Sequence, residues 1–305
     1  MTADEKLKVD NRMCWIRKFE KLSTSEENPE NEWARYEIAT EQRITGILDY
    51  EGHILGGLIV SPEDTLLKNK LYTYLIQIKL PTVEPPYYQS NVSKSGYFFP
   101  SGPIGEVLSL LALHYGARFY QISSTYGKLS ENSIPMRTSH NYVYFPSASG
   151  VCQDVLKPRA NINWGTAKIF LDDVKKLNSK LHLPFIMACN LYLRGLREIN
   201  LDSEMFFIRM VSAIEAITER LSDSEFKKIV GVKRDGKQNN FINFFKKFSK
   251  GFYKGGKYKA KHCRISKKEA PKKLEAIYDA RSRYLHEGES MYLSQIAGYK
   301  MGYGP

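Results

Sequence analysis

The spacing of hydrophobic positions changes period part-way along the 305 residues. In the first half, "LYTYLIQIKL" at 71–80 is rich in aromatic and branched side chains. "ARFYQISSTYG" at 117–127 and "NYVYFP" at 141–146 are of the same kind, a composition that predicts strands. Two Pro and Gly clusters, "PTVEPPYY" and "FFPSGPIG", punctuate these runs. After the second cluster, "GEVLSLLALHYGARF" places Val107, Leu110, Leu111 and Tyr115 at helical spacing, which predicts one buried helix among the strands.

The second half has a helical period. "AKIFLDDVKKLNSKL" repeats apolar residues at 170, 174, 177 and 181. A further helix is expected after Pro184, in "FIMACNLYLRGLREI", ended by a turn at Asn200. Asp202 or Ser203 can then cap "EMFFIRMVSAIEAITERL", and so short a connection predicts antiparallel packing of the two helices. A last helix is expected from about Glu269, with Pro271 in its first turn, to Glu287 before Gly288. There is no internal repeat. The fold class expected is α+β: a mixed, β-rich domain over 1–165, then an all-helical domain over 166–305, with the break in the irregular stretch 146–166.

Composition narrows the class. A hydrophobic share of 42% and a charged share of 26% describe a water-soluble globular protein, and the length allows two domains with sizeable cores. The first residues, "MTADEKLKVDNR", contain no apolar leader, and no apolar run approaches the roughly 20 residues that a bilayer requires. A cytoplasmic protein without a membrane partner is expected. Cys14, Cys152, Cys189 and Cys263 lie far apart, so a disulfide framework or zinc site is not expected and reduced thiols are. The six histidines form no HxxxH or HExxH pair, and no metal or cofactor is expected.

The net charge of +12 is concentrated in one place. Residues 227–273 carry 17 Lys or Arg against Asp235 and Glu269, a local +15, which leaves −3 for the rest of the chain. Phe241, Phe244, Phe245, Phe248, Phe252, Tyr253 and Tyr258 are interleaved with these charges. A basic field with aromatic rings suits single-stranded nucleic acid, and Lys246, Lys247, Lys250, Lys254, Lys257, Lys259, Lys261 and Arg264 are its candidate contacts. The plainer alternative is a solvated, lysine-rich loop. Within the segment, "GFYKGGKY" at 251–258 matches the Gly and Lys spacing of a phosphate-binding loop. It has Tyr258 where Ser or Thr should hold magnesium and no preceding strand, so nucleotide binding there is not expected. A GxSxG nucleophile elbow is absent.

The last helix carries the other candidate chemistry. Counting about 100° per residue from Leu274, an apolar stripe of Ile277, Tyr278, Tyr284 and Leu285 includes Arg281 at about 340°, while Arg283 falls on the opposite face at about 180°. Ser282 and His286 fall on the shoulder, at about 80° and 120°. A guanidinium directed into an apolar stripe keeps its charge and requires a partner. That partner is either a carboxylate, for which Glu215 in "VSAIEAIT" is placed, or a phosphate entering a cleft. Glu215 has a plainer reading, as one member of a polar edge with Arg209, Ser212 and Glu219. For His286 it is a favourable interaction with the helix C-terminus. Arg281 and His286 are separated by about 140° and about 7.5 Å of rise, so two copies of the helix across a two-fold axis would bring such side chains together better than one copy does.

With four residues between Arg281 and His286, "IYDARSRYLHEG" resembles the signature of HEPN domains (higher eukaryotes and prokaryotes nucleotide-binding) in their Apea-like subgroup. "FIMACNLYLRGL" followed by "FFIRMVSAIEAIT" resembles the helix pair that precedes that motif. The resemblance covers about residues 183–290 and not the first 165. It implies an HEPN-like helical bundle and a metal-independent endoribonuclease acting as a homodimer, as in toxin, antiphage-defence (abortive-infection) or RNA-processing systems. It also implies that Arg281 binds and polarises the scissile phosphate and that His286 acts as general acid and base; Ser282, next to Arg281, and Glu215, from the count of faces, are the further candidate catalytic residues. The reaction implied is attack of a ribose 2′-hydroxyl on its neighbouring phosphate in single-stranded RNA or tRNA. Ser282 departs from the Asn, Asp or His of many active relatives, and the resemblance does not extend to the basic insertion 227–273.

The expectation is therefore a homodimeric ribonuclease governed by an N-terminal domain that senses a phage product or a nucleotide. An inactive HEPN module that binds RNA or protein partners is the alternative. A DNA-binding regulator using 227–273 is a third reading, although no helix-turn-helix stands out there.

Overall fold

The computed structural model describes residues 32–59, 72–80, 102–125, 162–199, 201–249 and 269–288. The fold is mixed α+β. It divides into two compact units, the first holding the described residues up to Leu193 and the second those from Arg194 onward.

The first unit is built on an antiparallel sheet. Its strands lie in the order β3 (Leu48–Tyr50), β4 (Ile54–Ile59), β5 (Tyr72–Leu80), β1 (Glu32–Thr40) and β6 (Tyr120–Thr125). β1 and β5 pair along their full length, with Glu32 opposite Leu80 and Thr40 opposite Tyr72. Because side chains alternate, this register puts Tyr36, Ile38, Tyr74, Ile76 and Ile78 on one face. There they share a core with Val107, Leu108 and Leu111 of helix α1 (Gly102–Tyr115). The helix begins inside the cluster read as punctuation, with Pro103 in its first turn, where a missing N–H costs nothing. β4 shifts register between Gly56 and Leu58, and Gly57 there has a φ of 106°. A Cβ at Gly57 would come within 2.6 Å of the Gly46 carbonyl oxygen and 2.8 Å of Trp164 Cδ1, so conformation and space both require glycine.

A two-residue parallel pair, β2 (Ile44–Thr45) with β7 (Ile162–Asn163), leads into a 3₁₀ turn at Trp164–Thr166. The turn is capped by the Asn163 side chain, which accepts the Gly165 N–H at 2.7 Å. Trp164 is fully buried and meets Tyr74 and Tyr115 edge-on at 5.3 and 5.7 Å. Both phenols are satisfied internally. Tyr115 donates to the Trp164 carbonyl at 3.0 Å, and Tyr74 accepts the Ile44 N–H at 2.6 Å. Burial raises both hydroxyls, that of Tyr115 to about 12.

Helices α2 (Ala167–Lys175) and α3 (Ser179–Glu198) follow. The expected break at Pro184 does not occur. Pro184 lies in the second turn, where its ring forfeits one backbone bond, and the chain breaks instead at Asn178, whose side chain accepts the Leu181 N–H at 2.9 Å. Compactness parts the chain between 193 and 194, whereas turn composition suggests 165/166. Leu171, Val174, Ile186, Cys189 and Leu193 join the sheet's core, which accounts for the difference. Cys189 is a free, buried thiol pushed upward by burial. The strand expected at 141–146 lies outside the described residues, as do Cys14, Cys152 and Cys263.

The described part of the second unit is helical. It comprises the end of α3, α4 (Ser203–Thr218), α5 (Asp223–Val230), α6 (Gly236–Phe248) and α7 (Ala270–Glu287). Asp202 caps α4 by accepting the Met205 N–H at 2.9 Å, and Ser222 with Glu225 forms a capping box on α5. Gly288, with φ 71°, ends α7. The last turns of α3 meet α4 closely: a Cβ at Gly195 would fall 2.4 Å from Met210 Cε, and Glu198 takes both Nε and Nη2 of Arg209. Helices α4, α6 and α7 pack through Val211, Phe241, Ile242 and Leu274, with Ile208 and Ala280 forming a second small cluster. Among the described residues no helix is long and apolar enough to cross a membrane.

Candidate functional site

Pairing across two helices builds the site. On α7, Tyr278 and Arg281 lie three residues apart, hence on one face; on α4, Ser212 and Glu215 have the same spacing. Higher numbers on α7 meet lower numbers on α4, so the two helices run antiparallel here: Tyr278 reaches Glu215, and Arg281 reaches Ser212.

Arg281 Nη2 lies 2.6 Å from Glu215 Oε2 and donates to Ser212 Oγ at 3.3 Å, while Nη1 reaches Glu215 Oε1 at 3.5 Å. The Tyr278 hydroxyl donates to the same Oε1 at 2.6 Å, and its ring centroid lies 5.9 Å from the guanidinium carbon. Arg281 Nε has no hydrogen-bond partner among the described residues. The side chain of Arg281 is 17% exposed and that of Glu215 10%, so the ion pair is largely, though not wholly, withdrawn from water. Burial first, then the hydrogen bond to Glu215 and its charge, raise the Tyr278 phenol, which keeps it a proton donor near neutral pH. The partner that the apolar stripe demanded for Arg281 is therefore a carboxylate in this structure.

The polar edge of α4 is fully engaged: Arg209 with Glu198, Ser212 and Glu215 with Arg281, and Glu219 with Lys237 at 2.7 Å. Lys237 opens α6, and its ammonium is raised by the hydrogen bond to Glu219 and that carboxylate's charge, with smaller contributions from Glu215. Gln238, one residue on, donates to Asp279 at 2.8 Å.

The remaining predicted residues are dispersed. Ser282 is partly buried and His286 exposed, both on the same unbroken α7 as Arg281. Arg281 faces α4, and His286, five residues on, is turned away from that contact. Arg283 is exposed, as its angle predicts. Leu285, expected in the apolar stripe, is 48% exposed; the clusters against α4 reach only as far as Tyr284, so among the described residues the last turn of α7 joins no apolar cluster. Lys246 and Lys247 are exposed in the last turn of α6. Lys250, Lys254, Lys257, Lys259, Lys261, Arg264 and the loop 251–258 lie outside the described residues.

No protein-family model matches the chain, and neither a curated protein nor a solved structure matches it. The chemistry is thus argued from the residues themselves. Among the described residues no group of three or more His, Cys, Asp or Glu is placed to hold a metal ion. Tyr278 and Ser212 were not singled out from the sequence. The signal available was the i, i+3 pairing of each with a residue that was singled out.

Proposed function

We propose that the helical unit is an HEPN-like endoribonuclease that cleaves single-stranded RNA or tRNA without a metal ion, under control of the β-rich unit, which senses a phage product or nucleotide. The observation that supports this most is the seat of Arg281. It is the arginine of the resembled motif, held by Glu215, Ser212 and Tyr278 with its side chain still 17% exposed. Glu215 then acts as a positioning residue rather than as a proton carrier: it fixes the guanidinium, and a phosphate reaching the exposed part of Arg281 would share or replace that carboxylate.

In the reaction, the ribose 2′-oxygen forms a bond to phosphorus and the bond from phosphorus to the 5′-oxygen breaks. A neutral imidazole takes the 2′-hydroxyl proton, and a protonated one supplies the leaving oxygen, leaving a 2′,3′-cyclic phosphate and a 5′-hydroxyl. Arg281 offsets the charge that develops on the phosphoryl oxygens. His286 is the histidine available, and because one straight helix directs it away from Arg281, the reading includes a homodimer that combines the two side chains from different copies.

Two features favour a second reading, an inactive module that binds RNA or partners: the carboxylate already on Arg281 and the Ser282 departure. RNA cleavage in EDTA separates them. Wild type should cut, and Arg281→Ala and His286→Ala should each lose at least about a hundredfold in rate, the scale of one acid-base or charge-stabilising group. No cleavage by wild type, or full cleavage by His286→Ala, would sink the nuclease reading, and salt-sensitive binding without cutting would support the module.

A further inference from the structure

Helix α6 carries two aromatic rows. Phe241 and Phe245 face inward, their rings 6.4 Å apart, and Phe241 packs on Tyr278 at 5.7 Å. Phe244 and Phe248 form the other row, 4.6 Å apart with planes inclined by 47°. Phe248 is 60% exposed and Phe244 is partly buried. Around the helix, Lys247 falls about 60° from Phe244 and about 100° from Phe248, so an exposed ammonium borders these two rings. This turn stands at the head of the most basic part of the chain.

We infer that Phe244 and Phe248 form a stacking platform for bases of a single-stranded nucleic acid whose phosphates are drawn by Lys246 and Lys247. A lone exposed Phe is ordinary on a protein surface, but two rings in contact at i and i+4, bordered by cations, match what a strand with unpaired bases offers: flat apolar faces joined by negative charge. Phe248 stands seven residues, about 10.5 Å of rise, beyond Phe241, whose ring meets Tyr278 of the Arg281 cluster. By the same count Phe248 lies about 20° from Phe241 around the helix, so the platform continues, two turns further on, the face that meets Tyr278. The choice of RNA rests on the ribonuclease reading; the platform itself rests on the exposed rings.

The test is binding of a fluorescent 2′-O-methyl uridine oligomer, which has no 2′-hydroxyl to attack, so the result is independent of cleavage. Wild type should bind it, and Phe248→Ala, on an exposed side chain and checked by circular dichroism, should bind about tenfold more weakly with an unchanged salt slope, since base stacking is not ionic. Lys247→Gln should instead reduce the slope by about 0.7. An abasic oligomer of equal length should bind wild type as weakly as the uridine oligomer binds Phe248→Ala. Equal binding by Phe248→Ala, equal binding of the abasic or a duplex oligomer, or no binding by wild type overturns the platform. If binding depends on Phe248 while RNA stays uncut, the platform stands and the nuclease reading falls.

Discussion

The two units hold their charged groups at different depths. In the β-rich unit Arg118 is 3% exposed and paired with Glu41, its Nε and Nη1 buried without a hydrogen-bond partner among the described residues, and the largest side chain, Trp164, is fully buried. In the helical unit the core is small, and beside it the side chain of Arg281 is 17% exposed. A group enclosed by its own fold is closed to a ligand. Chemistry is better sought where burial fixes a charge without sealing it from water.

The sharpest way to break this contrast is to damage each unit at its centre. Trp164→Ala should cost about 3–5 kcal/mol in denaturant unfolding, because the cavity is walled by a sheet and helix that cannot collapse into it. A loss below about 1 kcal/mol would show that the closed core is not what holds the first unit. In the helical unit, Glu215→Ala removes the carboxylate from a charge that is only partly withdrawn from water, so a smaller loss of about 1–3 kcal/mol is expected. Tyr278→Phe deletes one hydrogen bond to that carboxylate and should cost about 1–2 kcal/mol, measured the same way.

The smallest effect belongs to His114, which lies at the end of α1, stacks on Phe170 and meets Thr166 Oγ1 at 3.0 Å. The Thr166 hydroxyl donates to the Asn163 carbonyl at 2.8 Å, so the imidazole is the donor to Thr166. Burial lowers the His114 pKa, which makes the neutral ring the favoured form in the folded state. Its contribution is complete above the unfolded value of about 6.5 and is lost as pH falls through the lower, folded value. Tm should therefore decline on the acid side of neutrality in wild type, and less steeply in His114→Gln; parallel curves would remove His114 from the explanation.

Much of this was legible in the chain, and the failures share a cause. Alternation in "YTYLIQIKL" and the α7 periodicity located β5 and the helix that bears Arg281, and angular counting separated Arg281 from Arg283. Pro184 misled because a proline early in a helix forfeits one bond while Asn178 supplies a cap nearby. Leu285 misled because an angle says which way a side chain points and not whether anything stands there. For the same reason the sequence could name Glu215 as a partner for Arg281 but not decide between it and a phosphate. That choice depended on whether α4 and α7 bring positions 215 and 281 together, a property of packing and not of either helix.

The most direct test of the central claim reads the ends of the RNA. With wild-type protein in EDTA, products should carry a 2′,3′-cyclic phosphate and a 5′-hydroxyl, a single 2′-deoxy substitution at the cut nucleotide should block cleavage there, and Arg281→Ala should yield no such products while Arg283→Ala still does. Products with 5′-phosphates, cleavage through the 2′-deoxy position, or equal dependence on Arg281 and Arg283 would contradict it.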